Sequence, residues 1–141
     1  MSSERDVLVR FRTFYDRPNR DLSAGEQAGY EIGWYFADTD ELGGAWQSLT
    51  EEEQGKVIGK CIYEEGRGRT LSKIHRKVDE LVSYVTGVGE LGRAWNQLSE
   101  RERQQLKNEF IRAYKNHFDQ EERISLITKA QEDFRERAQR R

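Results

Sequence analysis

A run of basic residues in the middle of the chain is the group best suited to bind an anion. It has five members with no acidic residue among them, which we call the basic cluster: Arg67, Arg69, Lys73, Arg76 and Lys77. A glycine, Gly68, and a possible helix cap, Thr70, lie within it, so backbone amides at a helix N-terminus could add to the attraction of a phosphate. The cluster therefore predicts contact with a nucleic-acid backbone, with a solvated helix face as the competing interpretation.

Histidine and cysteine are too sparse to predict a metal site. His75 and His117 lie far apart in the chain, and Cys61 is the only cysteine, so zinc-motif spacing is missing. The sequence also has no phosphate loop, no dinucleotide fingerprint and no nucleophile elbow. We expect no metal, no cofactor, no small-molecule substrate and a non-enzymatic role, with Cys61 on the apolar side of its helix.

The most specific pattern in the chain is an internal repeat. Residues 41–53 (ELGGAWQSLTEEE) return forty-nine positions later as residues 90–102 (ELGRAWNQLSERE). The matched positions carry residue types that pack or cap helices rather than groups that react. The matched packing residues are Leu42 and Leu91, Ala45 and Ala94, and Trp46 and Trp95. The repeat therefore predicts a fold made from two copies of one helical unit.

The two repeated tryptophans have a structural and a functional interpretation. We expect Trp46 and Trp95 to pack between neighbouring long helices. Gly43 and Gly92, three positions earlier, would then allow close backbone approach on the same helix face. The alternative is a pair of exposed aromatic anchors for a protein partner or for stacked bases.

Apolar periodicity and capping signals predict helices throughout. The expected N-caps are Ser23, Thr50, Thr70 and Ser99, and three of them have Glu three positions later. We expect Pro18 to stop the first helix, Gly66 to end the helix that follows Thr50, and Asp119 to begin the last helix.

These elements predict a single all-α domain over residues 1–141, a compact helical bundle with two pseudo-equivalent units. The units cover about residues 23–65 and 70–117, and each contains a long helix, a short Trp-bearing helix and a capped helix. A flanking helix precedes them. A C-terminal helix with a basic tail, residues 119–141, follows them. At this length both units must share one core.

The repeat also matches Glu31 with Glu80, which raises an enzymatic alternative. Two carboxylates brought together across a pseudo-twofold axis could serve as general acid and base. Such a site would need a deep polar pocket beside both residues. Surface salt bridges are the simpler interpretation, so we expect no catalytic residues.

Composition bears on partners and on cellular location. Leu, Ile, Val and Phe make up about one fifth of the chain, which predicts a lean core that favours a protein partner or self-association. Cys61 is alone, so no intramolecular disulfide can form and a cytoplasmic setting is expected. No apolar run has the length of a membrane span, so we expect no membrane association.

One short segment resembles a known protein family. Residues 101–106 (RERQQL), followed by Glu109, Phe110 and Ile111, are similar to part of the small helical subunit of CRISPR surveillance complexes. The resemblance covers fewer than twenty residues, and it implies a basic surface that lines a guide–target duplex. We therefore hold two hypotheses. The first is a non-enzymatic small binding subunit, adaptor or inhibitor that acts by protein–protein interaction within a larger assembly. The alternative is a small subunit of a ribonucleoprotein that contacts the nucleic-acid backbone through the basic cluster.

Overall fold

Helices account for all the regular structure in the part of the chain that the computed structural model describes, residues 4–14 and 22–140. They are α1 (Glu4–Phe14), α2 (Ala24–Asp38), α3 (Asp40–Ser48), α4 (Glu51–Cys61), α5 (Leu71–Thr86), α6 (Gly89–Gln97) and α7 (Glu100–Gln139). The prediction of an all-α helical bundle is confirmed. The expected stop at Pro18 and the end of the basic tail at Arg141 lie outside the described residues.

The predicted caps form where the sequence places them. Thr50 and Ser99 make full capping boxes: each hydroxyl accepts a hydrogen bond from the amide three residues on, and the glutamate there accepts one from the cap amide. Ser23 and Thr70 likewise accept hydrogen bonds from the amides of Glu26 and Lys73. These bonds satisfy amides that have no partner within the first helical turn, so each helix begins at a defined residue.

The internal repeat is visible in the order and contacts of the helices. The series α2, α3, α4 corresponds to α5, α6 and the first part of α7, and α3 and α6 pack against each other. A side chain at Gly43 would meet the carbonyl oxygen of Ala37, and one at Gly92 would meet that of Thr86. Gly92 follows Gly43 by forty-nine positions, and Thr86 follows Ala37 by the same number. The duplication therefore extends from the sequence to individual close contacts.

The two tryptophans are both enclosed. Trp46 is 5% exposed and Trp95 is 2% exposed. The ring of Phe11 lies 5.9 Å from Trp46, and the ring of Phe110 lies 6.4 Å from Trp95, measured between ring centroids. Burial of this extent is the environment that the packing interpretation requires.

Helix α1 covers the first unit. It packs against α4 and α2, where Phe11 stacks on Trp34 at 4.6 Å and Phe14 meets Tyr30 at 5.6 Å. In the sequence, Ala28, Ile32 and Phe36 share one side of α2, and Tyr30 and Trp34 lie off that side. Their contacts with α1 show that they widen the buried face of α2.

Two expected helix boundaries differ from the structure. Helix α4 ends at Cys61 rather than near Gly66, because Tyr63 turns its amide toward the carbonyl of Gly25 and its hydroxyl toward that of Gly68. The helix expected to begin at Asp119 is the second half of α7. No glycine or proline interrupts residues 100–141, so nothing in the sequence ends α7 earlier.

Candidate functional site

Within the basic cluster, Arg67 and Lys77 are paired with carboxylates of the same chain. Arg67 Nη1 lies 2.9 Å from Glu80 Oε2 and 3.3 Å from Glu64 Oε2. Lys77 Nζ lies 2.8 Å from Glu64 Oε1, and its side chain is only 4% exposed. These contacts join the loop after α4 to α5, so both positive charges already contribute to holding the fold together.

The carboxylates in these pairs have lowered pKa values, so they stay ionised to lower pH than an isolated glutamate does. Hydrogen bonding and charge from Arg67 hold the pKa of Glu80 below its usual range. Burial pushes the pKa of Glu64 upward, but hydrogen bonds from Lys77 and Arg67 outweigh that effect, and the net shift is downward. At neutral pH the two acids therefore offset the charges of Arg67 and Lys77.

Arg69 contacts a different helix. Its Nη1 lies 2.8 Å from Glu121 Oε1, and its guanidinium sits 4.3 Å from the centroid of the Phe118 ring. The other oxygen of Glu121 accepts a hydrogen bond of 3.3 Å from the amide of Ala24, at the start of α2. Arg69 and Glu121 thus tie α7 to the loop before α5 and to the N-terminus of α2.

Three members of the basic cluster lie at the surface, and one of them, Arg69, is paired with Glu121. Lys73 and Arg76 are exposed in the first turns of α5. The structure therefore brings the five residues to one region but uses Arg67, Arg69 and Lys77 in internal ion pairs. The assignment of the cluster to a nucleic-acid site stays a prediction, and it depends mainly on Lys73 and Arg76.

The matched glutamates have different partners. Glu31 Oε2 lies 3.4 Å from His117 Nε2, whereas Glu80 pairs with Arg67. A surface cavity of about 230 Å³ borders Glu31, and Glu80 is not among its lining residues. Among the described residues no group of three or more His, Cys, Asp or Glu side chains could hold a metal ion.

The exposed apolar residues of α7 form a site that sequence reasoning did not single out. Every described side chain from Asp119 to Arg140 is exposed. Residues 122–140, beyond the Glu121 contacts, are called the projecting segment below. Three large apolar side chains at helical spacing along it form what we call the apolar stripe: Ile124 (57% exposed), Ile127 (54%) and Phe134 (74%). Their helical spacing was visible in the sequence, but it equally fits a buried face. Leu126 (62% exposed) lies on a different side of the helix, two residues after Ile124.

The apolar stripe does not continue the buried face of α7. Inside the bundle, α7 presents Phe110, Tyr114 and Phe118 to the core. One to three turns further on, the same side carries polar residues such as Ser125 and Thr128. At 3.6 residues per turn the stripe is centred roughly 130° around the helix axis from the buried face. The polarity of the two sides is therefore exchanged where α7 leaves the bundle.

A cavity of about 600 Å³ lies at the base of the projecting segment. Its apolar lining includes Leu71, Ile74 and Phe118, and its charged lining includes Arg69 and Glu122. Leu71 is 54% exposed there. The α7 residues that line this cavity are on a different side of the helix from the stripe, so the two are separate surfaces.

Comparison with known proteins found no relative of this chain. The chain matches no protein-family model, no curated protein and no solved structure. In the described ranges, no helix has the length and apolar character needed to cross a membrane. The segment similar to the CRISPR small subunit lies in the first part of α7, where Arg101 is exposed and Phe110 is buried in the core.

Proposed function

We propose that this protein is a non-enzymatic binding subunit that engages a protein partner through the apolar stripe of α7. The observation that carries the proposal is that three large apolar side chains, each more than half exposed, share one side of the projecting segment. Single exposed apolar residues are ordinary on protein surfaces, whereas a contiguous group marks an interaction site. A cytoplasmic setting is part of the proposal, supported by the single, buried thiol of Cys61.

The recognition mode is that of an amphipathic helix. Such helices bind a groove or another helix through anchors spaced by three, four or seven residues. Ile124 and Ile127 have this spacing, and Phe134 follows seven residues after Ile127. Phe134 is the most exposed of the three, so we expect it to be a principal anchor.

Affinity capture from extracts of the source cells tests the proposal. The bait carries Ile127→Asp together with Phe134→Asp, and the matched control carries Ser125→Asp together with Thr128→Asp on the polar side of the same segment. We expect the stripe variant to lose a protein that the wild type and the control retain. Thermal melting of all three should be alike, since every altered side chain is exposed. Equal retention of all bound proteins by the stripe variant would refute the proposal.

Nucleic-acid-backbone binding is the second proposal. It is supported by the exposure of Lys73 and Arg76 in the first turns of α5. Binding of labelled RNA and DNA should fall steeply as salt rises, because neutralised phosphates release counterions. Lys73→Glu with Arg76→Glu should abolish this binding, and Arg93→Glu on α6 serves as the control. Absence of binding at low salt would eliminate this proposal and leave the first one standing.

A further inference from the structure

We infer that the projecting segment folds on binding: in the free protein its helix opens and closes independently of the bundle, and a bound partner holds it closed. The partner is the one that the proposed function supplies, so the bound-state part of this inference rests on that proposal. The free-state part rests on the contacts and residue types of the segment itself.

The side chains of the projecting segment lack the contacts that hold the rest of α7 in place. Every described side chain from Glu122 to Arg140 is exposed, and none of them forms a hydrogen bond or an ion pair with another described residue. Earlier in α7, by contrast, Phe110 and Phe118 are buried and the Tyr114 hydroxyl donates a hydrogen bond to the carbonyl of Cys61. Most helical stability in proteins comes from such packing, so the helix of the projecting segment is sustained by its own backbone bonds and residue preferences.

Poor helix formers stand where the projecting segment leaves the bundle. Residues 124–128 read Ile-Ser-Leu-Ile-Thr, and only the leucine belongs to the residue types that favour a helix strongly. Isoleucine and threonine lose side-chain freedom in a helix, and serine and threonine hydroxyls compete for backbone hydrogen bonds. Residues 129–140 (KAQEDFRERAQR) contain more favourable types. The helix reaches them only by passing through the weak stretch.

Growth of a helix in water is close to balanced at each residue. The equilibrium constant for adding one residue is about 1–1.6 near 0 °C for good helix formers, and it is lower for poor ones. The bundle provides the costly first turns, so the segment does form a helix. Opening from its far end nevertheless changes the free energy little per residue, so the segment opens while the bundle stays folded.

A partner that contacts the whole apolar stripe binds only the helical form. Ile124, Ile127 and Phe134 lie on one side of the segment because the residues between them are helical. Binding therefore shifts the population toward the closed helix, by the difference in affinity for the two forms. Ordering the segment offsets part of the contact free energy, so the affinity depends on how helical the free segment is.

Residue-resolved hydrogen exchange of the full chain tests the free-state part. We expect the amides from Leu126 to Gln139 to exchange no more than about a hundredfold slower than in an unfolded chain, because they open locally. The amides from Phe110 to Phe118 should exchange at least about a thousandfold slower than in an unfolded chain, because they open with the bundle. Equal protection of the two stretches would overturn the inference, since it would mean that the segment opens only when the bundle unfolds.

Two matched pairs of substitutions change the helix without altering the stripe. Ser125→Ala with Thr128→Ala introduces the best helix former on the polar side, so exchange beyond residue 128 should slow by about fivefold. Ser125→Gly with Thr128→Gly should accelerate it by about threefold. Thermal melting of the bundle should be the same for both pairs, because the segment opens separately. Exchange rates that respond to neither pair would contradict a helix held by residue preference alone.

Affinity capture with the same two pairs tests the bound-state part. The alanine pair should increase the retained amount of the protein that the stripe variant loses, and the glycine pair should decrease it, since the partner binds the helical fraction. Equal retention by both pairs would overturn the coupling of folding to binding.

The outcomes separate this inference from the proposed function. Slow exchange throughout α7, together with loss of a captured protein by the stripe variant, would remove the inference and leave the proposed function intact. Fast exchange of the segment, with no captured protein lost by the stripe variant, would remove the proposed function and the bound-state part while the free-state part stands.

Discussion

Trp46 and Trp95 occupy matching positions in the two units, but their neighbours come from different sources. Trp46 meets Phe11, which belongs to α1 and lies outside the repeat. Trp95 meets Phe36 of α2 and Phe110 of α7, so its neighbours come from both units. The second tryptophan therefore joins the two units, whereas the first joins its unit to the flanking helix.

Replacing either tryptophan should destabilise the protein strongly. We expect Trp46→Ala and Trp95→Ala each to lower the free energy of unfolding by about 3–5 kcal/mol, because a large buried side chain leaves a cavity. Urea denaturation measures the change, and Leu71→Ala, at an exposed position, is the control. Loss of partner binding with an unchanged melting temperature would instead assign these residues to recognition.

Burial of Cys61 should make the free energy of unfolding depend on pH in the alkaline range. Desolvation raises the pKa of the Cys61 thiol from 9.0 to about 12, although the positive charge of Lys77 opposes the shift. Above pH 9 the unfolded chain releases this proton while the folded chain retains it. This contribution to stability is therefore complete below pH 9 and is lost progressively as pH rises toward 12.

The comparison with Cys61→Ala isolates the effect of the thiol. Between pH 9 and 10.5 the wild type should lose stability relative to Cys61→Ala, by at most about 1.4 kcal/mol per pH unit. Urea denaturation across this range measures the difference. Parallel pH profiles for the two proteins would show that the thiol ionises equally in both states.

Helix α2 has a glycine where it approaches the end of α4, whereas its counterpart α5 has a larger residue at the matching position. A side chain at Gly29 of α2 would lie 2.8 Å from the Cα and amide nitrogen of Ile62, just after α4. The matching position in α5 is Val78. The two units therefore share an order of helices and a Trp-bearing helix but differ in how tightly their long helices pack.

Two glycine substitutions should have opposite effects. Gly29→Ala is expected to destabilise the protein by about 1–3 kcal/mol, because the new methyl group meets backbone atoms that cannot move independently. Gly59→Ala on α4 has no neighbouring atom within 4 Å of its added carbon. It should stabilise the protein by up to about 1 kcal/mol through higher helix propensity. Thermal and urea denaturation of both variants would test this, and a neutral Gly29→Ala would mean that the helices can separate without cost.

The whole protein consists of a helical bundle and the last part of α7, which extends beyond the bundle. The Arg69–Glu121 pair and the bond from Glu121 to the Ala24 amide fasten the base of α7 to the bundle. Beyond this point all described side chains are exposed. The projecting segment should therefore contribute to binding and little to the stability of the bundle.

Truncation tests this division. A chain that ends at Arg123 should melt within about 4 °C of the full chain, which corresponds to about 1 kcal/mol for a protein of this size. A chain that ends at Ala113 should not fold, because it lacks the buried Tyr114 and Phe118. Circular dichroism melting distinguishes the two. A large loss of stability in the longer truncated chain would show that the segment packs on the bundle.

Much of the local structure could be predicted because its causes lie within a few residues. Thr50 and Ser99 cap helices through bonds to residues three positions on, and the forty-nine-residue repeat predicted the matching short helices α3 and α6. The end of α4 was placed too late, since the bond from Tyr63 to Gly25 that diverts the chain joins residues far apart in sequence. The continuity of α7 was missed because Asp119 is an acceptable cap as well as an acceptable helical residue.

The sequence by itself determined that the chain is helical, that it contains two related units, and where its capped helices begin, because those properties depend on short-range patterns and on a repeat that can be read directly. Only the tertiary structure decided which charges are available and which apolar residues are exposed. Lys77 is buried beside Glu64, while Ile127 and Phe134 face outward, and both outcomes depend on which distant segments pack against each helix. Helical periodicity identifies an apolar side of a helix but does not specify whether the partner of that side is the same chain or another.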